Sequence, residues 1–80
     1  MDIDVARHTI RQSFRIAREL QDILPFLKER CDPDEYKQYV FDIAAALDAV
    51  SVALLNKAIK AYPELERDIE EKLAATGQYL

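Results

Sequence analysis

The sequence predicts an all-α protein: a long antiparallel helical hairpin plus a short third helix, with two copies pairing into a dimeric helical bundle. Three observations carry that expectation. Half of the 80 residues are apolar and only one is glycine, the composition of a packed helical chain rather than a disordered one. Apolar side chains recur at three- and four-residue spacing along most of the chain. The segment from Pro33 to about Ala61 is apolar around nearly its whole circumference, more than the rest of so small a chain can readily cover.

The first helix is expected over about residues 3–30, opening after Asp2 or Asp4, either of which can cap its first turn. Ile3, Ala6, Ile10, Ser13, Ala17, Leu20, Leu24 and Leu27 repeat at helical spacing, and Phe14, Ile16 and Ile23 widen that seam into a face. Pro25 lies inside the pattern. It removes a backbone donor and crowds the preceding turn, so a kink is expected near it, with the apolar register preserved across it.

Asp32-Pro33-Asp34-Glu35 is the clearest local signal: a capping aspartate, proline at the first helical position, and an acid at the third. The second helix is expected over 33–61. One of its stripes is Tyr36, Val40, Ile43, Leu47, Val50, Leu54 and Ala61. A second, offset by about one residue, is Phe41, Ala45, Val52, Leu55, Ile59 and Tyr62. Ala46, Ala49 and Ala53 fill the arc between them. The third helix is expected over 63–76, opened by Pro63-Glu64 with an acidic first turn, striped by Leu65, Ile69 and Leu73, and stopped at Thr76-Gly77. Gln78-Tyr79-Leu80 would be a short tail, and the whole of 1–80 a single domain.

Composition bounds the function. Eleven basic against fifteen acidic residues leave a net charge of −4, which favours solubility and disfavours nucleic acid as a partner. Cys31 is the only cysteine and His8 the only histidine, so neither an internal disulfide nor a zinc cluster is expected. Self-association is the stabilising device left to so small a chain. The start Met1-Asp2-Ile3-Asp4 is acidic where a secretion signal is basic. The most apolar run, Ile43 to Leu55, is short for a membrane span and contains Asp48. A cytoplasmic location without membrane contact is therefore expected.

Four arginines, Arg7, Arg11, Arg15 and Arg18, fall within an arc of about 80° on the first helix. They could form an anion-binding ridge, because arginine grips phosphate bidentately, or simply a solvated helix back. Asp48 interrupts the second stripe between Ala45 and Val52. It could bind a metal or substrate, or be a structural acid paired with an arginine or set against its equivalent across a symmetric interface. The interface itself is expected at Ala46, Asp48, Ala49, Val52 and Ala53. His8 reads as an exposed bystander and Cys31 as a partly buried hydrophobe. Glycine-rich phosphate loops and Ser-His-Asp sets are absent, so no enzymatic activity and no cofactor are expected.

Arg15-Ile16-Ala17-Arg18-Glu19-Leu20-Gln21-Asp22 resembles the phosphoacceptor helix of nitrate-sensor-like histidine kinases, in which Arg-Glu-Leu-His-Asp is typical. The resemblance implies a helical hairpin that dimerises into a four-helix bundle. Gln21 stands where those kinases carry the phosphorylated histidine, so the phosphoryl-transfer activity is not implied. The functional expectation is a small, non-enzymatic interaction or regulatory protein acting as a homodimer, with a small-ligand- or metal-binding bundle, or a phosphate or nucleic-acid binder through the arginine ridge, as alternatives. Either a second copy or a different protein could cover the second helix.

Overall fold

A computed structural model describes residues 1–77, and the chain is all-α. The tail expected at 78–80 lies outside the described residues. The helices are α1 (Ile3–Arg30), α2 (Pro33–Val50), α3 (Asn56–Ala61) and α4 (Glu64–Thr76), with a π-helical turn, Ser51–Leu55, joining α2 to α3. Among the described residues there is no strand.

Each boundary has a local cause. Asp2 caps α1, its carboxylate accepting from the Val5 amide at 2.8 Å. Asp32 does the same for α2, accepting from the Glu35 amide at 2.9 Å, with Pro33 at the first helical position. Both bonds satisfy an amide that has no partner within its helix. Pro25 sits inside α1, which continues through it as one helix to Arg30. Cys31 and Asp32 are extended and turn the chain between α1 and α2. Tyr62 and Pro63 separate α3 from α4, and α4 stops at Gly77, which takes φ 76°. That left-handed conformation costs glycine nothing, so the position suits it.

The core is small and sits at one end. Ala6, Ile10, Ala58, Leu65 and Ile69 form the buried cluster, with Ile3, Phe14, Leu55, Ile59 and Tyr62 packed partly against it. The start of α1, α3 and α4 thus meet in one place. Tyr62 clasps that end, its hydroxyl donating to the Met1 carbonyl at 2.6 Å. Ser13, the buried polar residue, donates to the Thr9 carbonyl at 2.8 Å, so burying its hydroxyl costs little.

The π turn explains why the long helix carries two stripes. In α2 the more covered apolar residues are Tyr36, Ile43, Leu47 and Val50, the first half of the first stripe. From the end of the π turn onward they are Leu54, Leu55, Ala58, Ile59 and Tyr62, of which Leu55, Ile59 and Tyr62 are the second half of the second stripe. The seam slips by one residue, and a π turn is how a helix absorbs one extra residue. Deleting Ala53 is therefore expected to leave a regular α-helix with both halves still facing α1. Helicity should be unchanged, with a melting temperature within about 5 °C of the full chain's or above it. Deleting Ala17 from α1 is the contrasting case: it rotates one half of that helix by about 100° and should unfold the chain.

Candidate interaction surface

The seam leaves a large part of the long helix uncovered. No residue of α2 or of the π turn is buried. Phe41 is 73% exposed and Val52 61%, with Tyr39 and Val40 also exposed. Ala44, Ala45, Ala46, Ala49 and Ala53 are exposed between them. All five interface residues expected from the sequence, Ala46, Asp48, Ala49, Val52 and Ala53, lie on this uncovered surface. Phe41 is its largest apolar side chain, and the sequence signalled it only as a member of the offset stripe.

Asp48 is exposed, on the same face as Phe41, Ala45 and Val52. Within one chain it is thus no buried charge and needs no partner. The nearest polar arrangement on α2 is separate: Gln38 Nε2 donates to Asp42 Oδ1 at 3.1 Å, one turn apart. Among the described residues no group of three or more metal-ligating side chains is gathered.

Of the four arginines, Arg11, Arg15 and Arg18 are exposed and Arg7 is half-covered. Among the described residues none of them has a carboxylate within ion-pair distance, Asp22 and the acids of α4 included. The ridge is a row of solvated charges. His8 is exposed on the same helix.

Among the described residues, two hollows lie along the long helix. A cleft of about 180 Å³ lies between α1 and the π turn, lined by Ser13, Phe14, Ala17, Gln21, Leu47, Val50, Ser51 and Leu55. It exists because small residues on α1 face the slipped seam. The second, about 460 Å³, is an open groove at the α1–α2 turn, lined by Lys28, Cys31, Pro33, Tyr36, Lys37 and Val40. A hydrogen bond with Glu35, partial burial and the charges of Glu35 and Asp32 push the Cys31 thiol above its ordinary pKa. The local field is negative, and such a thiol stays protonated and unreactive at neutral pH. Nearby, the Arg30 guanidinium lies over the Phe26 ring, 4.7 Å from its centroid, partly screening an otherwise exposed aromatic.

No protein-family model, curated protein or solved structure matches the chain. The surface must be read on its own chemistry. By length and composition the rod Pro33–Ala61 is apolar enough to cross a membrane, with a mean hydropathy of 1.5 over its most apolar window, none of it buried. The short run Ile43–Leu55 considered from sequence is only the centre of that rod.

Proposed function

We propose that this chain is a small, non-enzymatic interaction protein of the cytoplasm that works as a homodimer. In this reading α1 and the rod Pro33–Ala61 form an antiparallel hairpin, and the rods of two copies pair to make a four-helix core. The observation that carries it is the rod's uncovered apolar face, with Phe41 and Val52 its most exposed large side chains. An apolar patch of this kind on a soluble protein marks a surface that another surface covers. A rod of this length spans about 43 Å. A partner lying along it has room for the roughly 1,200–2,000 Å² that a stable protein interface buries. The resemblance of Arg15–Asp22 to kinase hairpin helices is consistent with the same architecture. The solvated arginines and the satisfied Ser13 supply no competing chemical site.

A bilayer is the second reading, favoured by the rod's length and hydropathy. Asp48 weighs against it: an aspartate near the middle of a membrane helix costs about 2.5–3.5 kcal/mol even on insertion scales. Light scattering after size exclusion, at roughly 1–100 µM, separates the two. A mass of twice the chain's 9.2 kDa in detergent-free buffer is the expected result. A monomer at every concentration, or a chain recovered only with lipid vesicles, overturns the dimer.

A further inference from the structure

The outer face of the rod has a charge order that favours one orientation of a second copy. Going along it, Asp34, Gln38, Phe41 and Ala45 precede Leu47, and Ala49, Ala53, Asn56 and Lys60 follow it; all eight are exposed. Asp34 and Lys60 are equally far from Leu47. So are Gln38 and Asn56, Phe41 and Ala53, and Ala45 and Ala49. The face is thus self-complementary under reversal: an acid answers a base, an amide answers an amide, and the bulky Phe41 answers a small residue. The one-residue slip of the π turn, which keeps Ala58 in the core, turns Lys60 towards the line of Asp34 and Phe41 and moves Asn56 to the edge of the same face.

Resting on the homodimer reading above, we propose that two copies pair antiparallel through this face, about a twofold axis at the level of Leu47. Asp34 of each copy then lies against Lys60 of the other, and Phe41 against Ala53. The alternative, parallel pairing, sets every residue against its own copy. It opposes Asp34 to Asp34, Lys60 to Lys60 and one Phe41 to another, and aligns the two helix dipoles unfavourably. The acids elsewhere on α2, Glu35 and Asp42, and the remaining base of α3, Lys57, follow the same acidic-to-basic order, while Lys37 runs against it. Asp48 does not decide the orientation, since it lies near its equivalent in both. Beyond the rod, Glu64 and Glu66 begin α4, whose Leu65 and Ile69 are turned into the core.

Single-cysteine chains on a Cys31→Ser background read the orientation directly. A Gln38→Cys chain mixed with an Asn56→Cys chain is expected to give a cross-linked heterodimer on oxidation. Neither should cross-link with itself, because in the antiparallel pair each cysteine is about 27 Å along the axis from its own equivalent. Self-linking of each variant, without a mixed product, would overturn the antiparallel arrangement and leave the dimer intact. A monomer by light scattering would remove both. As a second readout, Asp34→Lys or Lys60→Asp alone should weaken self-association about tenfold, since the symmetric dimer loses two pairs, and the double variant should restore it. Equal affinities for all four chains would also overturn the assignment.

Discussion

Ile10→Ala is expected to lower the melting temperature by about 10–30 °C, measured by circular dichroism at one fixed protein concentration. Ile10 is completely buried in a cluster whose other buried members are Ala6, Ala58, Leu65 and Ile69. Truncating such a side chain removes its burial energy and leaves a cavity, together about 2–5 kcal/mol. Domains of this size have total stabilities near the low end of about 5–15 kcal/mol. One substitution therefore removes a large share. The loss is hard to repair by collapse, because Ala6 and Ala58 beside it are already small and cannot close in. Ile16→Ala is the control: on the same helix but 37% exposed, it should cost less than about 1 kcal/mol. Equal effects of the two variants would mean that the start of α1 is not where stability resides.

The all-helical class could be read from the sequence because its signals are local. Capping aspartates, prolines at helix starts and three–four spacing act within a few residues, and Asp2, Asp32 and Gly77 each act at a helix end. What could not be read was which half of which stripe turns inward on the long helix. Two complete stripes offset by one residue are equally apolar. Only the close packing of Ala58 against Ala6, Ile10 and Leu65 selects the second beyond Leu55. The π turn is the consequence, and no residue in Ser51-Val52-Ala53-Leu54-Leu55 announces it. The same limit hid Phe41, whose exposure follows from Tyr36, Ile43 and Leu47 being the covered side of α2.

Asp48 shows the complementary lesson. On a helical wheel it looked like a charge inside an apolar stripe, and hence like a buried group requiring a partner. The chain places that section of stripe outward, so the carboxylate is solvated and its anomaly concerns the outer surface rather than the core. A polar residue on an association face costs affinity, but it also limits the registers in which two apolar helices can slide. The wheel carried the correct angle and lacked the direction of the core.

Phe41→Asp is expected to weaken self-association at least about 100-fold, by sedimentation or light-scattering titration, while far-UV circular dichroism stays helical. The argument rests on the difference between what Phe41 does in one chain and what it would do in two. Within the chain it is 73% exposed, so losing it removes little packing, and aspartate in an exposed helix costs about half a kcal/mol in propensity. Across a twofold pair the same change counts twice. It withdraws two aromatic anchors and places two charges against the apolar partner face, each with a desolvation penalty and no compensating base within one turn on its own helix except Lys37. Phe41→Leu keeps the apolar volume and should retain most of the affinity. Asp48→Ala, on the same face, should act in the opposite direction by removing two like charges from the contact. If Phe41→Asp left the association unchanged with the helix intact, the outer face of α2 would not be the contact. The exposed stripe of α1, Ile16 and Ile23, would then be the surface to alter next.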